Sequence, residues 1–392
     1  MRLRYGPGFL MPPAPPPFRI PFNRPPSFEG VGREVARAIE GGHTAGGGPF
    51  TRACEEALGR LLGAPALLTT SATHALEAAA LLLGTAPGDE VVVPSFTFVS
   101  TANAFVLAGA RIRFVDCDAD GNVSVDHVEA CLGPGTRAVV PVHYAGNSCD
   151  MDRLLAVCGA AGVPVVEDAA QSIGVTYKGR PLGTLGALGC LSFHETKNLC
   201  AGEGGALVVG NERFLTRAHH LRDKGTNRRD FSLGMAEKYS WVDVGSSWAL
   251  SGLNAAYLAA QLDRMDEIQG RRSELWRRYD AALRPVVSTV GARTLAIPVH
   301  NRPNYHLFAV VWPDRETRDR FIRHTASRGI LTPFHYVPLH RSPYGSRFAT
   351  GETLANTDRL GDGLVRLPLF FNLTDAEQDE VIDAVRDFCR QG

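Results

Sequence analysis

Lysine is almost missing from this chain. Of the 41 basic residues only four are lysines, Lys178, Lys197, Lys224 and Lys238, so arginine carries nearly all the positive charge. No excess of one sign is present either: 41 acidic residues balance the basic ones without a long run of like charge, which argues against a nucleic-acid or anionic-membrane partner. No apolar run reaches the ~18–20 residues of a membrane-spanning helix. The N-terminus lacks an apolar signal core, being broken by prolines from Pro12 to Pro17. These absences point to a cytoplasmic protein. None of the eight cysteines forms a Cys-x-x-Cys pair, and several interrupt apolar runs, as in Leu154-Leu155-Ala156-Val157-Cys158. Reduced, buried thiols fit this pattern better than a zinc site or a disulfide framework. Carboxylates and histidines are scattered without compact ligand spacing, so no metal site is expected.

At 392 residues the chain suits one large domain and a smaller one. Residues 1–26, rich in proline, read as an extended arm; 27–268 as the large domain; 269–392 as a smaller α+β domain. From residue 64 onward strands alternate with helices. Short β-rich runs fall at 66–70, 90–93, 111–115, 138–142, 163–167, 189–193 and 206–209, with helical patterns at 71–83, 101–107, 125–131 and 151–160. That rhythm predicts an α/β fold whose mostly parallel, seven-stranded sheet is covered on both faces. Ligands of such sheets sit beyond the carboxyl ends of the strands. Beyond residue 269 an arginine-rich helix (271–283), a strand (307–312) and helices at 315–328 and 375–390 are expected.

Against this background one lysine stands out, in Ser192-Phe193-His194-Glu195-Thr196-Lys197-Asn198, just before Gly202-Glu203-Gly204-Gly205. Arginine keeps its proton in a protein, whereas a partly buried lysine can be pushed towards the free amine that imine chemistry on a carbonyl cofactor requires. Lys197 is the candidate nucleophile. Asp168 ends the apolar run Val163-Pro164-Val165-Val166-Glu167, where it could hold a pyridine nitrogen protonated or, alternatively, cap a helix. Thr70-Ser71-Ala72-Thr73-His74 joins a strand to a helix and offers backbone amides for a phosphate. Phe98 could cover a cofactor ring or pack in the core. The turn Gly202–Gly205 lacks the spacing of a nucleotide-binding fingerprint. His335, Tyr336 and His340 could touch a polar substrate or be satisfied by loop neighbours, and His219-His220 reads as a solvated helix surface.

With these residues in place, the chain resembles the sugar-nucleotide aminotransferases of the DegT/DnrJ/StrS family, which share the fold-type-I architecture of pyridoxal-phosphate enzymes. The resemblance runs from about Ile20 to the C-terminus and is strongest at residues 94–103, 139–146, 166–171, 192–205 and 366–373. Within the family it is closest to the WecE (RffA) type, the dTDP-4-amino-4,6-dideoxygalactose transaminases, through the runs at 192–198, 141–146, 224–228, 244–247 and 334–340. The resemblance implies that Lys197 binds the cofactor's carbonyl and that Asp168 partners its ring nitrogen. Phe98 takes the ring-stacking position, Gln171 lies near the 3-hydroxyl, and Ala72, Thr73 and Ser192 form the phosphate site. Many relatives have Asn-x-Arg at 247–249, the asparagine reaching the neighbouring subunit's phosphate; here Ser247 stands in its place, as in the WecE type. Active sites in this family lie at a dimer interface, so a homodimer is implied.

The implied activity is a ping-pong transamination. The amino group of L-glutamate passes to the cofactor, leaving 2-oxoglutarate, and then to C4 of dTDP-4-keto-6-deoxy-D-glucose, giving a 4-amino-4,6-dideoxy sugar nucleotide of galacto or gluco configuration. Sugar 3-dehydratases of the same superfamily replace the lysine with histidine; retention of Lys197 favours transamination. The alternatives are amination at C3 of a related keto sugar, and a non-catalytic, cofactor-binding regulator. No basic helix-turn-helix precedes the first strand to support the latter.

Overall fold

The computed structural model describes residues 18–391. Pro12 to Pro17 and the rest of 1–17, where most of the expected proline arm falls, lie outside the described residues. Seven strands build the central sheet: β1 (Ala66–Thr69), β2 (Glu90–Pro94), β3 (Arg111–Val115), β4 (Thr136–Val139), β5 (Val166–Asp168), β6 (Leu188–Ser192) and β7 (Gly205–Val209). Hydrogen bonding gives one run β1-β7-β6-β5 and another β3-β2-β4. Parallel bridges Val139–Val165 and Val142–Asp168 join the runs into the order 1-7-6-5-4-2-3. Only β7 runs opposite to the other six strands. Strands of this kind are buried on both faces and so show continuous apolar runs rather than alternation. In β2, Val91 and Val93 pack into the apolar cluster on one side while Val92 packs into another.

β4 and β5 are offset from the spans expected from sequence, 138–142 and 163–167. Each span contains a proline (Pro141, Pro164), which has no N–H to give to a ladder. Pairing continues there through the proline carbonyls instead, with Val139 N donating to Pro164 O and Asp168 N to Pro141 O. The sequence reading also finds no helix before residue 64, where the structure has α1 (Val31–Glu40) and α2 (Pro49–Leu62). Helices α3 (Ala72–Leu82) and α4 (Val99–Leu107) cover one face of the sheet, and α2 with α5 (Gly252–Leu262) cover the other. His219 and His220 lie on a helix, Leu215–Arg222, as expected, yet are not solvated. His220 Nε2 is 2.9 Å from Asp230 Oδ2, and burial pushes the His219 imidazole down to about 3.

The long helix α6 (Met265–Ser288) extends past both ends of the expected span 271–283. Its buried Leu275, Tyr279 and Leu283 pack on an antiparallel sheet, β8 (Arg293–Thr294), β9 (Phe308–Val311) and β10 (Leu364–Leu367), in the order 8-9-10. Helices α7 (Arg315–Ser327) and α8 (Asp375–Gln391) complete this α+β unit. Ile20 is fully buried in the same core, its N–H donating to Gly329 O at 3.0 Å, which brings the next residues, Phe22 and Asn23, to the cleft between the two units. No helix among the described residues is long and apolar enough to cross a membrane.

Candidate active site

A cavity of about 430 Å³ opens beyond the carboxyl ends of β5 and β6. Asp168, the last residue of β5, is buried at its floor. Thr101 Oγ1 donates to Asp168 Oδ2 at 2.7 Å and the Ala170 amide to Oδ1 at 3.1 Å. The second bond closes a turn, and no helix follows, so Asp168 is not a helix cap. Both partners are neutral. Burial therefore drives the carboxyl's proton affinity up, opposed by the two hydrogen bonds and by Lys197.

Lys197 stands on the loop that follows β6. The loop folds back on itself, with Phe193 N donating to Gly204 O, Ala201 N to Phe193 O, and Lys197 N to His194 O. Asn198 Nδ2 pins its far side by donating to Asn304 O at 2.8 Å. The Lys197 side chain is half-buried and lines the cavity. Burial pushes its amine down to about 8; Asp168 acts upward and Arg366 downward.

The first turn of α3 has the free amides that a phosphate site needs. Ser71 caps it, accepting from His74 N at 3.1 Å, while the Ala72 and Thr73 amides have no partner among the described residues. The glycine turn contributes here in a way its spacing does not reveal. A Cβ on Gly205 would lie 2.4 Å from Ala72 N and from Ser71 C, so only glycine lets β7 pass this close beneath the helix start. Ser192 is buried at the end of β6, next to the same cavity. Phe98, at the start of α4, is 58% exposed and lines the cavity, which excludes the core-packing alternative.

Gln171 Oε1 accepts from Ala145 N at 2.7 Å, which orients the amide so that Nε2 donates to Tyr336 Oη at 3.1 Å. The Tyr336 hydroxyl hydrogen is thereby left for the cavity. His335 is also on the wall, its Nδ1 3.0 Å from Tyr144 Oη, and burial holds it neutral. His340 is not brought there. Its two nitrogens face Ser95 Oγ at 2.7 Å and Asp358 at 3.4 Å, so it is satisfied by loop neighbours and the substrate alternative is corrected. Ser247 lies exposed outside the cavity of its own chain.

Arg366 and His306, in contrast, line the cavity without having been picked out from sequence. An arginine inside the apolar run Leu364-Val365-Arg366-Leu367 was the available signal. Its guanidinium lies over the Phe22 ring at 4.2 Å, has no carboxylate partner among the described residues, and leaves Nε unpaired. Among the described residues no group of three or more His, Cys, Asp or Glu could hold a metal ion, and all eight cysteines are unpaired.

These residues fit pyridoxal phosphate. A buried carboxylate that forms no ion pair among the described residues suits a protonated ring nitrogen, the amine of lowered basicity suits the carbonyl, free helix-start amides suit a phosphate, and an exposed phenyl ring suits a flat heterocycle. Residues 29–386 match the model of the DegT/DnrJ/EryC1/StrS aminotransferase family. Solved structures agree. The aminotransferase TlmJ from Streptoalloteichus hindustanus shares 33% identity at a TM-score of 0.87, covering 95% of this chain and 99% of its own. DesV from S. venezuelae shares 32% identity at a TM-score of 0.84, over 92% and 94%. The putative sugar aminotransferase Spr1654 from Streptococcus pneumoniae, solved in a pyridoxal-phosphate form, shares 26% at 0.86, over 95% and 99%. The chain thus belongs to the DegT/DnrJ/EryC1/StrS aminotransferase family and is a pyridoxal-phosphate-dependent aminotransferase.

Proposed function

We propose that this aminotransferase moves the amino group of L-glutamate to C4 of dTDP-4-keto-6-deoxy-D-glucose, giving a dTDP-4-amino-4,6-dideoxyhexose and 2-oxoglutarate. The observation that carries the chemistry is the pairing, across one cavity, of a lysine of lowered basicity with a buried carboxylate that forms no ion pair among the described residues. Pyridoxal phosphate, when bound, supplies a carbonyl that takes up the amino group and a ring that withdraws electrons from the reacting carbon. Lys197 holds the cofactor and, once released, carries the proton to and from the substrate's reacting carbon as general base and acid. Asp168 keeps the ring nitrogen protonated, with Thr101 and Ala170 holding its oxygens in line. Ala72, Thr73 and Ser192 seat the phosphate, Phe98 covers the ring, and Gln171 stands at the 3-hydroxyl edge. Arg366, a cation without a carboxylate of its own, supports a carboxylate-bearing donor. The wall of neutral His335 and the donating Tyr336 supports a polyhydroxylated acceptor.

The finer sugar assignment rests on the WecE-like runs at 141–146, 192–198 and 334–340. A cytoplasmic homodimer with shared active sites is part of the same reading. It is supported by the exposed apolar stretch Phe231, Leu233, Met235, Tyr239, Trp241, Val242 and Val244, which ends beside Ser247. The test is an absorbance titration of the loaded enzyme with L-glutamate, then with the keto sugar nucleotide. The yellow band of the lysine-bound cofactor should fade with the first and return with the second. Fading without return assigns a different acceptor, and an intact band refutes the glutamate donor. Replacement of Lys197 by alanine should abolish turnover, and full activity in that variant sinks its assignment.

A further inference from the structure

His306 stands on the segment that leads into β9, and its hydrogen bonds fix which ring nitrogen carries the proton. Asn198 Nδ2 donates to Asn304 O at 2.8 Å, so the Asn198 amide can be oriented only one way, with Oδ1 turned to His306 Nδ1 at 2.8 Å. An amide oxygen only accepts, hence Nδ1 bears the hydrogen. Burial, reinforced by the cations Lys197, Arg272 and Arg366, keeps the ring from taking a second proton. Nε2 is left with a bare lone pair, without a partner among the described residues, on the wall of the cavity. The backbone that carries the ring is held from behind, since Arg272 donates to the carbonyls of both Tyr305 and His306. Its neighbours on that wall, Arg366 and Tyr336, present donors. His306 alone among these three offers an acceptor.

We propose that His306 Nε2 accepts a hydrogen bond from the hydroxyl next to the substrate's keto carbon, which makes it a specificity-determining residue that selects α-hydroxy ketones. This rests on the keto-sugar reading above and sharpens it. Of the two carbons flanking the C4 carbonyl of a 4-keto-6-deoxyhexose, only C3 carries a hydroxyl. The carboxylates of an amino-acid donor offer acceptors, which suit Arg366 and not a bare nitrogen.

The test uses the holoenzyme with dTDP-4-keto-6-deoxyglucose and its 3-deoxy analogue, in wild type, H306N and H306Q. Asparagine reaches about as far as Nδ1, keeping a donor for Asn198 while withdrawing the cavity acceptor. Glutamine reaches about as far as Nε2, placing an oxygen there while giving up the link to Asn198. Wild type should prefer the 3-hydroxy sugar by roughly 10- to 100-fold in kcat/KM, because a site built to pair a hydroxyl is left unpaired by its deoxy analogue. H306N should lose that preference and H306Q should keep part of it. The reverse pattern, or a wild type indifferent to the hydroxyl, overturns the proposal and leaves His306 as a support for the Lys197 loop. If wild type turns over neither sugar, the keto-sugar reading fails on its own. The 15N spectrum of the histidine-labelled holoenzyme then decides: an unprotonated Nε2 at His306 sustains the acceptor assignment, and a protonated one overturns it.

Discussion

The scarcity of lysine makes the electrostatics of the active site directly measurable. In the cofactor-free enzyme the Lys197 amine is pushed down to about 8, chiefly by burial. At pH 7 that leaves roughly a tenth of the amine free, against about 0.04% for an ordinary lysine near 10.4. A less basic amine is also intrinsically less nucleophilic, so the rate advantage at neutral pH should shrink from about 200-fold to on the order of tenfold. Competitive acetylation across pH 6 to 10, read lysine by lysine by mass spectrometry, tests this with an internal contrast. Lys178 is exposed, and its hydrogen bond to Asp152 raises its proton affinity above the usual value. The sign is fixed. As pH falls through about 8, Lys197 gains its proton and its labelling falls tenfold per unit, whereas Lys178 already labels slowly at higher pH. Asp168→Asn removes the anion that favours the ammonium form and should move the Lys197 midpoint lower; Arg366→Gln removes an opposing cation and should move it higher. A Lys197 midpoint near that of Lys178, or shifts of the opposite sign, would refute the claim that burial and these two charges set its reactivity.

Other expectations follow from single contacts. Gly205→Ala forces a Cβ into the first turn of α3; cofactor affinity, read by equilibrium dialysis, should fall roughly 10- to 100-fold, as overpacking of about 1–3 kcal/mol implies. An unchanged affinity would show that this close approach does not shape the phosphate seat. Arg366→Gln should raise the KM for L-glutamate by roughly 10- to 100-fold, the scale of a lost hydrogen bond to a charged group; an unchanged value removes Arg366 from donor binding. Arg222→Ala should destabilise by about 3–5 kcal/mol in urea unfolding, since buried Arg222 pairs with Glu55 and Asp223 and its loss strands their charge. Loss of the exposed Arg19–Glu380 pair should leave the urea midpoint unchanged, and a clear drop there contradicts the surface-screening argument.

Sequence by itself determined the strand–helix alternation and the seven strands of the sheet, and it singled out Lys197 and Asp168 as candidates, because each of these is written locally. Apolar runs such as Val91-Val92-Val93 need no partner to be recognised as doubly buried strands, and Lys197, one of four lysines beside 37 arginines, is singled out by its place after an apolar run and before a glycine-rich turn. The helices before Ala64 went unread although apolar spacing such as Val31, Val35, Ala38 and Ile39 is helical. α1 and α2 are short and set among glycine-rich connections, Gly41-Gly42 and Gly46-Gly47-Gly48, and they pack against α5, about 200 residues later in the chain. Long-range closure alone decided the rest. It brought Arg366 from β10 and His306 from the approach to β9 to face Lys197, turned His340 away to Ser95 and Asp358, and left Ser247 outside the cavity of its own chain. It also gave Gly205 its purpose, since the need for a missing side chain appears only when β7 passes beneath the start of α3. Residue identity can be read from one position at a time, whereas the desolvation that lowers the Lys197 amine and the hydrogen-bond chain that fixes the His306 tautomer exist only once distant segments meet.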